Sequence, residues 1–367
     1  MRGRTIQTFT LAAILVVCVV IVLHVAHQTS YNQSTEELSP IPLHNTNLMQ
    51  DQQLINRNIP RGYSKRKPED TDVSLRTSAD KEEENVSKIN RLGVLFARDA
   101  RDWAPLTCDR NRTLRQVSIK TKIGNFTFYV YDKASDDESV TARALKGNIF
   151  ERSEIERFLD ISRDLPLIDV GGNVGLVALQ AAMQGRQVVA VEPIPENALR
   201  LCRSALDFGH SHLVHVINNA VSSSEGNVTL ASDISKQSTR FEVARKSGWG
   251  FDSIVRFAIL LDRLLEVVPF KRAALKIDVE SHEGHVIAGA HKLFKEMDIP
   301  LVWMEWAHVK EKTEFGAKTI LDFMQTYSME PYDLMSGRRL HEKTYMHWPF
   351  TVLWRKTNFP MPAERER

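Results

Sequence analysis

The chain has 367 residues, 43% of them hydrophobic and 26% charged, which fits a folded globular protein and excludes a wholly disordered one. Lysine and arginine number 48 against 46 acids, a net charge of +2, so nucleic-acid binding through neutralised phosphates is not indicated. Three cysteines exclude a disulfide-framework miniprotein and a cysteine-only zinc cluster.

Residues 1–8 form a short tail carrying Arg2 and Arg4. Phe9–Ala26 follows without an acid, lysine or arginine; as a helix it spans about 27 Å, near the thickness of a thin bilayer. The run stays bulky almost to its end, and VAHQTS is a poor cleavage match, so a retained signal anchor is favoured over a cleaved leader. The positive flank stays cytoplasmic, which predicts a single-pass type II membrane protein with its bulk in the lumen or exterior. By analogy with anchored secretory-pathway enzymes, the Golgi or endoplasmic reticulum is the expected membrane. Residues 27–90 are polar, with Tyr31 and Tyr63 their only aromatics, and are expected to be a disordered stem. N-x-S/T triplets at Asn32, Asn85, Asn111, Asn125 and Asn227 are compatible with glycosylation on that side. Cys202 shares an apolar helix face with Ala198, Leu201, Ala205 and Phe208 and reads as a core residue. A Cys108–Cys202 disulfide is permitted by the compartment, but nothing else points to it.

The globular pattern begins at Arg91. Residues 91–164 read as an N-terminal extension, with a hairpin over Val117–Tyr131 around Gly124-Asn125 and a helix over Ile149–Ser162. From residue 165 to 357 strands and helices alternate. Strands are predicted at Leu165–Val170, Gln187–Glu192, Leu213–Ile217, Ala273–Asp278 and Leu301–Trp306. Helices are predicted through Met183, over Pro195–Phe208, and along the face Val286, Ile287, Ala290, Leu293, Phe294 and Met297. This is the pattern of an α/β fold: a Rossmann-like, mostly parallel sheet covered on both faces. Thr351–Trp354 and the Tyr332 segment are expected to add an antiparallel edge pair, and residues 358–367 a C-terminal tail.

The sharpest motif is Asp169-Val170-Gly171-Gly172-Asn173-Val174-Gly175, between a strand and a helix. Glu192 ends the next strand, 192 − 171 = 21 residues after Gly171, where a carboxylate can accept hydrogen bonds from ribose hydroxyls. The arrangement suits a dinucleotide or an adenosyl cofactor. A dinucleotide fingerprint started at Gly171 needs glycine at 173 and a small residue at 176; the chain has Asn173 and Leu176. Asp169 also puts an anion at the loop entrance, unfavourable beside a pyrophosphate but useful beside a methionyl ammonium. S-adenosylmethionine is therefore favoured over NAD. Asn219, after the third strand, is placed to contact the adenine.

The segments LIDVGGNVGLVALQ, VVAVEPIPENALRL, VHVINNAVSSSEGNVTL, LLDRLL and LKIDVESHEGHVIAGAHKLF occur in this order over about residues 145–310. This series resembles the FkbM family of S-adenosylmethionine-dependent methyltransferases. Its D-x-G-x-N-x-G motif is present as Asp169, Gly171, Asn173 and Gly175, its E-P pair as Glu192-Pro193, and its L-K-I-D-V-E-G-x-E motif as Leu275–Glu283. The resemblance implies the class I methyltransferase sheet with an antiparallel seventh strand, and O-methyl transfer to a small-molecule or sugar hydroxyl. One position departs: the family glycine after D-V-E is Ser281, which costs on the order of 1 kcal/mol if the turn needs positive φ.

Asp278, Glu280, His282, Glu283 and His285 crowd a strand end, the place where open α/β sheets bind ligands. Removing a hydroxyl proton beside a sulfonium methyl calls for a carboxylate or imidazole base. Asp278 is the first candidate, then Glu280, then His282. A divalent cation is the alternative use of these groups, but their spacing matches no metal signature and none is assigned. Glu283 reads equally as a helix cap, His285 as a solvated or satisfied histidine, and Glu305 as a site residue or the partner in an ion pair. Trp249, in SGWGF, reads as a core aromatic more readily than as a sugar platform. The expectation is a membrane-tethered O-methyltransferase acting on a glycan or other secretory acceptor, with an inactive binding module of the same fold or an NAD-dependent oxidoreductase as alternatives.

Overall fold

The computed structural model describes residues 78–134, 139–233, 242–243, 251–309 and 315–360. The predicted anchor at 9–26, the stem through residue 77, Trp249 and the end of the C-terminal tail lie outside the described residues. Among the described residues no helix is long and apolar enough to cross a membrane.

The first helix of the described residues, α1 (Ser78–Leu92), corrects the expected end of the stem at residue 90. Its composition is polar, but Ile89 and Leu92 are buried in the core. Asn85 Nδ2 donates to the carbonyls of Leu265 and Val268 at 2.9 and 3.0 Å. One narrow apolar stripe suffices to dock such a helix, and segment-average composition does not register it. Asn85 is thus engaged in packing, whereas Asn111, Asn125 and Asn227 are exposed.

Strands β1 (Leu95–Arg98) and β2 (Trp103–Pro105) precede the hairpin β3 (Arg115–Thr121) and β4 (Gly124–Val130). Its turn is Lys122-Ile123, because Gly124 already pairs with Thr121; the Gly-Asn pair opens β4 rather than making the turn. Helices α2 (Val140–Leu145) and α3 (Arg152–Ile161) lead into the alternating part. There β5 (Leu167–Val170), α4 (Leu176–Met183), β6 (Val188–Val191), α5 (Pro195–Asp207) and β7 (Val214–Ile217) follow the sequence reading within a residue or two. Next come β8 (Ala220–Val221), β9 (Gly226–Asp233), β10 (Glu242–Val243) and β11 (Phe251–Ile259), a separate sheet in the order β10-β9-β11-β8. The sequence pattern assigns no strands to this stretch.

The chain returns through β12 (Arg272–Ile277), α6 (Glu283–Ala288), α7 (His291–Glu296), β13 (Asp298–Glu305), α8 (Ala317–Thr326), β14 (Met329–Tyr332) and β15 (Thr351–Lys356). The single helix expected after β12 is two, interrupted at Gly289-Ala290, although every residue of its predicted apolar face is buried. The main sheet runs β14-β15-β13-β12-β5-β6-β7-β1-β2. Strands β13, β12, β5, β6, β7 and β1 are mutually parallel. β15 is antiparallel to both neighbours and lies one place in from the edge, which β14 occupies.

Side-chain alternation builds a core on each face: Ile168 and Val170 of β5 enter one layer, Leu167 the other. Fully buried aliphatics such as Leu201 contribute roughly 1.5–3 kcal/mol each. Cys202 is in the core as expected and is also bonded to Cys108 across a Cα separation of 6.2 Å. That link ties the segment before β3 to α5. The carboxyl ends of β5, β6, β7, β12 and β13 share one rim of the sheet, and the predicted site residues lie there.

Candidate active site at the strand rim

The glycine loop leaves β5 and turns into α4. Gly171 has φ +83°, and a Cβ there would sit 1.8 Å from the Asp278 carbonyl oxygen. This glycine is required first by close packing of the β5 and β12 exits, and only then by any ligand. Gly175, at φ +98°, lets the loop close on Leu179 and Leu201. Asn173 takes φ +48° where a dinucleotide fingerprint would have glycine. Its Oδ1 accepts from the Val174 N–H at 2.8 Å, a local bond that supports the left-handed turn.

Glu192 closes this side. Its Oε2 accepts from the Asn173 N–H at 2.8 Å; its Oε1 accepts from the Ile194 N–H at 2.9 Å and from Asn197 Nδ2 at 3.3 Å. Tyr131, just past β4, donates to Asn197 Oδ1 at 2.7 Å, so the N-terminal hairpin helps set the Glu192 carboxylate. Burial pushes Glu192 up to about 7 despite those donors.

Asp169 is not at the loop entrance as expected. It is fully buried beneath the loop, 3.2 Å from the Lys276 ammonium, and does not line the crevice. Lys276 Nζ donates to the Gly171 carbonyl at 2.7 Å and lies 3.5 Å from Asp278 Oδ2. Burial alone would pull this lysine down, but the carboxylates of Asp169 and Asp278 outweigh it and hold the ammonium charged. Asp169 therefore supports the loop through Lys276. The signal was legible in AALKID, since a lysine inside an apolar strand requires a buried acid.

Asn219 is buried, and its amide is committed: Oδ1 accepts from the Arg98 N–H, and Nδ2 donates to the carbonyls of Arg98 and Phe257. It joins β1 to β11, so only its remaining atoms can face an adenine. Its neighbour Asn218, unassigned from sequence, donates to the Glu192 and Pro193 carbonyls at 2.8 and 3.2 Å.

Gly171, Asn173, Glu192, Asn219, Asp278, Glu280 and His282 all line one open crevice. Asp169 and Gly175 support it from behind. Apolar walls come from Val191, Ile194 and Leu230, a mixture that suits a nucleoside with a few fixed polar contacts.

The β12–α6 turn is strained. Glu280 and Ser281 have φ of +52° and +73°, so the turn does require the conformation that favours glycine at Ser281. His282 Nε2 lies 3.0 Å from Ser222 Oγ, and its ring stacks on His285 at 4.1 Å. His285 has Ser223 Oγ 3.2 Å from its Nδ1 and so reads as a satisfied histidine. Glu283 opens α6 and is fully buried, its Oε1 accepting from the Val279 N–H at 3.0 Å; burial pushes it up to about 7. Glu305 faces a smaller recess shared with Lys276, Asp278, Trp303 and Phe350. Asp278 lines both spaces.

Residues 169–330 match the family model for the methyltransferase FkbM domain. The matched span includes the glycine loop, Glu192 and the β12–α6 turn. The chain thus carries a methyltransferase domain of the FkbM type, with S-adenosylmethionine as its cofactor. The β5-to-β15 order, with its inserted antiparallel strand, is the class I methyltransferase-like sheet that the resemblance implied. No curated protein sequence matches the chain. Three solved structures illustrate distant likeness. Magnesium protoporphyrin IX methyltransferase (ChlM) from Synechocystis PCC 6803, with bound SAM, is 9% identical, over 56% of this chain and 77% of that one, at a TM-score of 0.30. Precorrin-6y C5,15-methyltransferase from Geobacter metallireducens GS-15 is 12% identical over 61% and 98%, at 0.33. A TehB-like SAM-dependent methyltransferase from Corynebacterium glutamicum ATCC 13032 Kitasato is 10% identical over 58% and 91%, at 0.31. At these scores they bear on no residue's role.

Proposed function

We propose that the protein transfers a methyl group from S-adenosylmethionine to a hydroxyl of a glycan or other secretory-pathway acceptor, while residues 9–26 anchor it in the Golgi or endoplasmic reticulum membrane with the catalytic part in the lumen. The supporting observation is the position of Asp278, on the boundary between the crevice that holds Glu192 and the recess that holds Glu305. Glu192 would hold the ribose of the cofactor, and Asp278, where the crevice meets the smaller recess, would face the acceptor hydroxyl. When bound, the cofactor would supply the methyl to the acceptor oxygen and leave as the neutral thioether, and Asp278 would take the hydroxyl proton. Glu280 and His282 flank the same boundary. Phe350, half-exposed on the recess wall, offers an aromatic face to a sugar.

The deciding experiment incubates the full chain with labelled methyl donor and released glycans. Label on a glycan hydroxyl supports the reading. Cofactor binding with no transfer to any acceptor favours the inactive tethered module, for which the strained Ser281 turn is the one observation in favour. Protease protection in sealed vesicles tests the anchor; digestion of the catalytic part from the cytoplasmic side would overturn the topology.

A further inference from the structure

Around Asp278 lies an arrangement that methyl transfer from S-adenosylmethionine does not itself require. One carboxylate oxygen each from Asp278, Glu283 and Glu305 lies within 4.8 Å of the other two. Glu283 and Glu305 are buried and Asp278 is half-buried. Acids gathered at a rim are common and mean little alone. Here Glu283 adds an independent observation: it is fully buried, and its Oε2 has no hydrogen-bond partner among the described residues. Asp278 and Glu280, both acids, act on it electrostatically. Lys276, the ammonium in the recess, is taken by Asp169 and Asp278.

We infer that Asp278, Glu283 and Glu305 form a binding site for a hard divalent cation of the magnesium or manganese class. Oxygens on opposite sides of such an ion, at metal–oxygen distances of about 2.1–2.4 Å, are roughly 4.2–4.8 Å apart, so one ion can reach all three. The donor set is all carboxylate, which selects magnesium, manganese or calcium over zinc or copper. The ligands come from the end of β12, the start of α6 and the end of β13, three elements fixed by the core. The inference deepens the proposed O-methyl transfer and rests on it only for the role of the ion. An acceptor hydroxyl taking a further coordination position would have its pKa lowered, easing loss of its proton to an Asp278 oxygen.

The site is testable without turnover, using the full chain and the metal alone. Titration with Mn2+, followed by calorimetry and by the loss of its free-ion electron paramagnetic resonance signal, should show one ion bound per chain. Glu305→Gln and Glu283→Gln should each weaken binding by about tenfold or more. Terbium luminescence gives a readout on the native protein. Trp303 lines the same recess, so excitation of tryptophan should sensitise bound Tb3+, and Mn2+ should quench the emission competitively. Absence of Mn2+ binding and of sensitised emission in the wild-type chain overturns the inference, as does affinity unchanged in Glu305→Gln. S-adenosylmethionine binding, measured separately, keeps the two readings apart. Cofactor binding without metal binding removes only the cation, whereas metal binding without cofactor binding removes the methyl-transfer reading.

Discussion

Glu192 and Glu283 are both buried carboxylates at the strand rim, both pushed to about 7 by burial, yet they are held in opposite ways. Glu192 accepts from three N–H groups of the protein, two of them backbone, and both its oxygens are engaged. Glu283 Oε1 accepts from the Val279 N–H, its Oε2 has no hydrogen-bond partner among the described residues, and one of its oxygens lies within 4.8 Å of oxygens of Asp278 and Glu305. The first is an oriented acceptor suited to the neutral hydroxyls of a ribose. The second is an excess of negative charge that a cation would relieve. Equal burial therefore does not mean equal chemistry; the donors left around each oxygen decide it.

The largest effect expected on the Glu192 side comes from Gly171→Ala. The new Cβ would meet the Asp278 carbonyl oxygen, and the residue would have to keep φ +83°. Thermal and denaturant unfolding should show a loss of about 3 kcal/mol or more, with cofactor binding abolished. A variant of wild-type stability would mean the β5 and β12 exits are not packed as described.

Next, Glu192→Ala removes the ribose acceptor and leaves the N–H groups of Asn173 and Ile194 unsatisfied. Calorimetry should show S-adenosylmethionine affinity down by about 10–100-fold, the equivalent of about 1.5–3 kcal/mol. An unchanged affinity would place the ribose elsewhere.

The raised pKa of Glu192 gives two slopes of opposite sign. The folded carboxyl, at about 7 against an ordinary 4.5, holds its proton more tightly than the unfolded one. Its contribution to stability is therefore fully present below pH 4.5 and is lost as pH rises through 7. Cofactor binding needs the carboxylate and should weaken about tenfold from pH 8 to pH 6. Glu192→Gln should flatten that profile, and a slope that survives the substitution would assign the titration to another group.

The smallest effect expected is on the acidic side. Ser281→Gly should relieve a left-handed serine and stabilise the protein by about 1 kcal/mol, read as a rise in melting temperature. A neutral or destabilising result would mean that Ser281 contributes a contact outweighing its strain.

The parallel strands were legible because LIDV, VVAV and AALKI are short, wholly apolar runs separated by helical lengths, and local pattern is sufficient for those. The sheet of β8–β11 was not, since its strands carry mixed polarity and pair with one another across long connections. Helix α1 was hidden by its charge, although Ile89 and Leu92 dock it. Within the site, Glu192 and Asn173 were found because a fixed spacing after a strand is a local property. The surroundings of Asp169, Asn219 and Glu283 were not legible, because each is set by a residue distant in sequence: Lys276, Arg98 and Glu305.

The sequence by itself determined the α/β class, the glycine turn and the carboxylate that follows it, since apolar periodicity, positive φ and motif spacing act over a few residues. Only the tertiary structure decided which acids face a ligand and which are spent on a lysine or a backbone amide. That choice is electrostatic, and in a buried site it is made by whichever donors the fold brings within about 3 Å, whatever their distance in sequence.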